Sequence, residues 1–421
     1  MSSEENYKIR QEKSLNHLFD GSLLNVYEKN IVNLGVGAPG PDLLENCTSI
    51  FENATSHRMA KENENGNFFL FQYGPNDGTF GVRNEIAKYL SDQYKSPVFH
   101  EDIVITTGAT HGLHLIISTF IDFEGYIFID EAVYFIAINV FRQFPTLKII
   151  PLRLTNEGID LDHFEELLKS NKFHSKGKLF WGMYYAIPTY HNPTGITFSD
   201  KVCKSLVSLA RKYDILIACD DVYNILNYKD PLNPAKRLYS FDTVEDPDYK
   251  GHVISNGSFS KIISPGIRMG WIEAPPRCKK PLVDSGLISS GGCTNNYTAG
   301  LLESLFTLGS AQTHIKTLYN AYCDRMKATC EVLKENMPEG CSFHEPEGGY
   351  FIWIKLPEDK DSNDLLKLAM DKYKIFFLPG NRFSIENKMQ NCFRISIAFH
   401  PSDLLKQTAL KLCQAIQEFL N

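Results

Sequence analysis

Two serines, a lysine and an arginine stand close together at Ser258, Ser260, Lys261 and Arg268. A lysine amine condenses with an aldehyde, while serine hydroxyls and a guanidinium offer hydrogen-bond donors to a phosphate dianion. The combination suits a phosphorylated aldehyde. By itself, the same stretch also reads as a solvated surface turn, the usual place for a loop lysine. Four other stretches carry residues of comparable interest. Ile103 to Gly112 reads as strand, glycine turn and helix, a geometry whose exposed amides and dipole attract phosphate. Asp220 ends the apolar run from Ile215, with Tyr223 three residues on and Lys261 about forty beyond, although an acid there can equally serve solubility. Asn192 opens an Asn-Pro-Thr-Gly sequence ending at Gly195, which alone signals only a turn. Arg394 is a single charge inside an apolar, strand-like segment and needs a partner, either a bound carboxylate gripped by two parallel hydrogen bonds or a structural salt bridge.

These residues must be positioned by an α/β framework. Short apolar runs alternate with helical patterns at Ile103 to Thr106, Tyr126 to Asp130, Lys148 to Leu154, Leu179 to Tyr184, Ile215 to Asp220, His252 to Asn256 and Met269 to Ala274. Several end directly in Gly, Asp, Asn or Ser, the residue types that build sites beyond the carboxyl ends of strands. From about residue 300 the pattern changes to a long helix with Leu318, Tyr322, Met326 and Cys330 at four-residue steps. Strands follow at Gly349 to Leu356 and Arg394 to Ala398, then a closing helix with Ser402 as its expected N-cap.

Taken in order, these stretches resemble the fold-type I, class I/II aminotransferases along nearly the whole chain. The segment from Ser258 to Arg268, together with Tyr73, Gly74 and Pro75, is most similar to the branch of 2-aminoadipate, kynurenine and aromatic aminotransferases. The resemblance implies a large, mixed but mostly parallel sheet domain over residues 46–300, a smaller α+β domain over 301–421, and an N-terminal segment, 1–45, that joins the small domain. It also implies pyridoxal 5′-phosphate as cofactor, held by Lys261 as an imine, with Lys261, Asp220 and Tyr223 as the catalytic residues. Asp220 then faces the pyridine nitrogen, Tyr223 the ring hydroxyl, and Tyr134 stacks on the ring. Ser258, Ser260, Arg268, Gly108, Ala109 and Thr110 surround the phosphate. Asn192 bridges ring oxygen and substrate carboxylate, Arg394 grips that carboxylate, and Gly37 allows close approach. Tyr73 resembles a tyrosine that reaches the phosphate from a neighbouring subunit, which implies a homodimer. The chain departs from the family at Ala132, where a proline is usual, at Cys219, often Glu, and at His191, commonly Gln; His191 reads as an ordinary loop histidine and Cys219 as a packing residue.

The implied reaction transfers an amino group from an L-amino acid, with 2-aminoadipate as the first expectation and aromatic amino acids or kynurenine close behind, to a 2-oxo acid such as 2-oxoglutarate. Two rivals share the cofactor: a carbon-sulfur β-lyase, and a regulatory protein that binds the cofactor without turnover. The segment before Leu34 is short for a DNA-binding domain, and Lys261, Asp220 and Arg394 are all retained, which argues against the regulator. The 421 residues carry a mild net charge of −7 with no basic stripe, so nucleic acid is not an expected partner. The longest apolar stretches fall short of a membrane span, and Met1 to Lys13 lacks the apolar core of a secretory signal, leaving the cytoplasm as the expected location. Ten cysteines without a CxxC pair, with Cys203, Cys219, Cys330 and Cys413 in apolar patterns, suggest reduced core thiols. His111 and His114 lack further ligands at metal-binding spacing, and no metal is expected.

Overall fold

A computed structural model describes residues 30–171, 177–230, 232–292 and 294–421. The expectation for Met1 to Lys13, and most of the N-terminal segment, lie outside these residues. All seven sheet-forming runs read from the central sequence become strands of one sheet: β1 (Ile103–Thr106), β2 (Ile121–Asp130), β3 (Lys148–Leu152), β4 (Phe180–Ala186), β5 (Leu216–Asp220), β6 (Val253–Ser258) and β7 (Gly270–Glu273). Their spatial order is β1, β7, β6, β5, β4, β2, β3. The pairs from β6 through β5, β4 and β2 to β3 are parallel, whereas β7 runs antiparallel to both β6 and β1. β4 and β5 are buried along their entire length, which explains their continuous apolar character: a parallel strand covered on both faces shows no alternation. One face packs on helices Ala109–Phe120 and Phe135–Phe141. The other packs on Leu161–Ser170 and Asp200–Tyr213.

A second sheet has the order Ser342–Phe343, Phe351–Lys355, Cys392–Ser396, Leu378–Pro379, all pairs antiparallel. The long helix spans Ser310–Asn336 and packs against the closing helix Ser402–Leu420, with Leu318, Tyr322, Met326 and Cys330 in the shared core. Val32 and Asn33 pair in parallel with Ile375 and Phe376, so this short strand runs along the C-terminal part. The structure corrects one boundary. Pro401 is the N-cap of the last helix and Ser402 its first residue, without a capping hydrogen bond; the rigid extended backbone of Pro401 enters the helix in place of a side-chain cap.

Sheet register is what gathers the site. Gly270 lies opposite Ser258 on one side and Thr106 on the other. Arg268, two residues before Gly270, is thereby brought beside Gly108, two residues after Thr106. Asp220 pairs with Asn256 in the adjoining ladder, which sets the acid and the Lys261 turn at the same sheet edge.

Candidate active site

Lys261 follows β6 in a 3-10 turn, Phe259–Lys261, whose start is fixed by Ser258 Oγ accepting from the Ser260 amide at 3.2 Å. Its amine donates to the Gly37 carbonyl at 2.5 Å. Burial, reinforced by the positive charge of Arg394, lowers the Lys261 ammonium to about 8, with Asp220 opposing the shift. An amine so poised exchanges protons readily near neutral pH.

Asp220 ends β5 and is buried. Tyr185 Oη donates to its Oδ2 at 2.5 Å, while Oδ1 is buried without a partner. Burial raises the carboxyl to about 6; the Tyr185 hydrogen bond and the Lys261 charge pull the other way, and Asp221 adds to the rise. A buried carboxylate oxygen without a donor among the described residues is a place for a cationic N–H.

Arg394 is also buried and has no carboxylate partner among the described residues. Nη1 donates to Asn192 Oδ1 and Nη2 to the Gly35 carbonyl, both at 2.7 Å, and Nε has no partner. The guanidinium carbon lies 3.9 Å from the centre of the Phe351 ring and 4.9 Å from that of Phe383. Two aromatic faces therefore hold the charge in place of an acid. Burial lowers Arg394 to about 10, which leaves it charged at neutral pH. Of the two openings left by the residues alone, structural salt bridge or bound carboxylate, the geometry has no structural acid.

A cradle of hydrogen-bond donors is built around Gly108, the N-cap of Ala109–Phe120, at φ 96 and ψ 167, a region open essentially to glycine. A side chain there would meet Arg268 Nη2 at 2.9 Å. Arg268 is exposed, with its Nη1 3.3 Å from Ser260 Oγ, and Ser258 Oγ donates to Ser260 Oγ at 3.0 Å. Two serine hydroxyls, a guanidinium and a helix N-terminus converge.

A cavity of about 430 Å³ joins these parts. Ala109, Thr110, Tyr134, Asn192, Asp220, Tyr223, Ser258, Ser260, Lys261 and Arg268 all line it. An adjoining cavity adds Gly37 and Arg394 and shares Tyr134, Asn192, Tyr223 and Lys261. Tyr223 is held edge-on to Phe351 and tilted against Tyr350. Gly37 has no room for a side chain, since a Cβ would come within 2.7 Å of the Phe351 ring. Tyr73 stands apart from both cavities of its own chain and is 81 % exposed.

Sequence reasoning missed Tyr185, Ile136, Phe351 and Phe383. A signal for Tyr185 was present: a phenol inside a fully buried strand requires a hydrogen-bond partner. His191 is not an ordinary loop histidine. It is fully buried, its Nε2 3.1 Å from Asp130 Oδ2 and its Nδ1 2.8 Å from Thr194 Oγ1, so it ties the Asn192 turn to the end of β2. Ala132 and Cys219 are buried packing residues. His111 accepts from the Thr107 amide across the glycine turn. Among the described residues no cluster of His, Cys, Asp and Glu is arranged for a metal ion, and no helix is long and apolar enough to cross a membrane.

Residues 29–412 match the family model for aminotransferase class I and II, and the chain belongs to that family. It is 30 % identical over 398 residues to aromatic-amino-acid aminotransferase 1 of Thermococcus litoralis, covering 94 % of this chain and 90 % of that protein. The 2-aminoadipate transaminase of Thermus thermophilus is 26 % identical over 391 residues, covering 93 % and 91 %. Among solved structures, the kynurenine aminotransferase of Pyrococcus horikoshii, in complex with PMP, superposes with a TM-score of 0.81 at 28 % identity over 100 % of this chain and 98 % of that one. The protein is a fold-type I, pyridoxal-phosphate-dependent aminotransferase, and its substrates are amino acids and 2-oxo acids. The residues present fit that cofactor: a buried amine, an unpartnered buried carboxylate oxygen and a cradle of phosphate donors surround one cavity.

Proposed function

We propose that this aminotransferase takes its amino group from an L-amino acid with an aromatic or other large apolar side chain. One observation carries the reading. The walls next to Lys261 and Arg394 are apolar, formed by Val36, Ala38, Phe135, Ile136 and Phe351. Among the described residues, the cations lining the two cavities are Lys261, Arg268 and Arg394, each with a task already. A donor with a second carboxylate has no further cation to meet there, and burying an unpaired charge is costly. The likeness to an aromatic-amino-acid aminotransferase points the same way. A 2-aminoadipate donor is the second reading, favoured by the likeness to the Thermus thermophilus transaminase.

Pyridoxal phosphate, when bound, supplies an aldehyde that condenses with amines and a ring that accepts the electron pair left at the substrate α-carbon. Arg394 grips the α-carboxylate of donor and acceptor alike, and Asn192, already bonded to Arg394, orients that grip. Asp220 holds a proton at the ring nitrogen. Lys261 would anchor the cofactor through its amine and, once that amine is free, would take the proton from the substrate α-carbon. Tyr223 serves the ring hydroxyl and Tyr134 the ring face. Ser258, Ser260, Arg268 and the amides of Gly108, Ala109 and Thr110 hold the phosphate.

A homodimer completes this reading. Phe69, Phe71 and Tyr73 project into solvent at 62 % exposure or more, a density of large apolar groups that favours a partner surface. The division into 1–45, 46–300 and 301–421 is supported by the two separate sheets and by the pairing of Val32 with Ile375. The nine described cysteines are unpaired, which suits a reducing compartment such as the cytoplasm.

The test is a donor comparison with purified protein, using L-phenylalanine, L-tyrosine, kynurenine, L-leucine and 2-aminoadipate against 2-oxoglutarate and pyruvate, with product amino acids quantified. Aromatic donors are expected to exceed 2-aminoadipate in kcat/KM by about tenfold or more. The reverse order would assign the second reading. Free ammonia and pyruvate from an S-conjugate, without a new amino acid, would point to lyase chemistry instead.

A further inference from the structure

We propose that Tyr185 is a positioning residue for transamination: its phenol pins Asp220 so that Oδ1 is presented, anionic, to the cofactor's ring nitrogen. The inference rests on the assignment of Asp220 above. Adjacent residues in a strand point to opposite faces, so Tyr184 and Tyr185 of β4 serve different sides of the sheet. Tyr184 Oη donates to Asp130 Oδ1 at 2.7 Å, in the core away from the cavity. Tyr185 lies on the cavity face, is 1 % exposed and donates to Asp220 Oδ2 at 2.5 Å. That bond occupies one carboxylate oxygen and leaves the other, also buried, without a partner. A carboxylate held at one oxygen loses rotational freedom and keeps its other oxygen for the cavity.

The electrostatics agree with the geometry. Desolvation favours the neutral acid, and Asp221, next in the chain, adds repulsion; Tyr185 and Lys261 favour the anion. Tyr134 and Tyr223 line the same cavity, and the Asp220 charge disfavours ionisation of both phenols. Of all these groups, Tyr185 alone donates a hydrogen bond to Asp220 among the described residues. Without it, the acid becomes the better base and draws the shared proton away from the ring nitrogen. The Tyr185 ring is itself held edge-on against Phe141, 5.4 Å between centres, so phenylalanine in its place removes the hydroxyl and keeps the packing.

Wild type, Tyr185→Phe, Tyr184→Phe, Asp220→Asn and the Tyr185→Phe/Asp220→Asn pair are loaded with pyridoxal phosphate carrying ¹⁵N in the ring. The ring-nitrogen shift is recorded, then the single-turnover rate with the donor ranked first in the comparison above. Melting temperatures are taken without cofactor. In Tyr185→Phe the signal should move toward unprotonated nitrogen, and the rate should fall about tenfold while half-saturation changes by less than about threefold. Tyr184→Phe should leave the nitrogen signal in place. The double variant should be no slower than Asp220→Asn, because Tyr185 acts through Asp220. An unmoved signal at wild-type rate in Tyr185→Phe, or a further loss in the double variant, overturns the proposal. So does a Tyr185→Phe protein that fails to fold, which would assign the hydroxyl to the core. If Asp220→Asn itself turns over at the wild-type rate, the assignment of Asp220 fails first and takes the proposal with it.

Discussion

The chemistry of the site turns on two buried cations with different partners. Lys261 is pressed toward its neutral form by burial and by Arg394, and the neutral amine is the species that attacks an aldehyde. Capture of pyridoxal phosphate by the cofactor-free protein should therefore accelerate as pH rises through about 8. Removing the positive charge in Arg394→Met relieves part of the pressure and should carry that midpoint to higher pH. Stopped-flow absorbance measures both, and borohydride reduction followed by peptide mapping should place the cofactor on Lys261; attachment elsewhere rejects the assignment. Arg394 itself gives a second outcome. Arg394→Lys keeps a charge but loses the planar pair of donors, and a hydrogen bond to a charged group is worth roughly 1.5–3 kcal/mol. Apparent KM should rise at least about tenfold for both amino-acid and oxo-acid substrates, while the absorbance of the bound cofactor stays near wild type. Cofactor loss with unchanged KM would reassign Arg394 to the phosphate.

Elements carry the site as much as side chains do. The turn from β1 into Ala109–Phe120 works because Gly108 takes a backbone conformation closed to other residues and sits against Arg268. Gly108→Ala strains that backbone by about 1–3 kcal/mol and pushes Arg268 aside, so the dissociation constant for pyridoxal phosphate should increase by about tenfold or more, read by titration of the cofactor-free protein. An unchanged constant would move the phosphate elsewhere. Much of this layer was legible in the residues. Seven apolar runs named every strand of the large sheet, most plainly at β4 and β5, where parallel strands buried on both faces show no alternation. Their ends were less legible: β2 begins at Ile121 rather than Tyr126, through the charged Asp122 and Glu124, and β6 continues to Ser258 through polar Asn256. Ile121 pairs with Phe180 across a register shift before Tyr126, and Ser258 pairs with Gly270, so pairing rather than hydrophobicity sets those ends. The Tyr185 to Asp220 contact, the cage of Phe351 and Phe383 around Arg394, and the Asp130 to His191 pair were hidden for a different reason. Each depends on which strands and loops become neighbours, and single-sequence spacing does not encode that adjacency.

At the scale of the whole molecule, the cavity is lined by one chain, yet Tyr73 and its aromatic neighbours face outward. Phe71→Asp, placed at 62 % exposure, should cost the isolated chain little and a dimer much. Sedimentation should show the wild type as a dimer and the variant shifted toward monomer, with weaker cofactor retention in the variant because Tyr73 no longer reaches a partner's phosphate. A wild-type monomer that holds cofactor fully would remove Tyr73 from the site. One further property follows from the segment between Leu34 and Ala38. Its contacts with Arg394 and Lys261 run through the carbonyls of Gly35 and Gly37, atoms that every residue type possesses. The space at those two glycines is restricted, by Phe376 and Phe351, and Leu34 and Val36 are buried beside them. The grip therefore depends on backbone spacing, while packing and the apolar cavity wall restrict the side chains at Leu34, Val36 and Ala38; gaining or losing a single residue would turn both carbonyls away together.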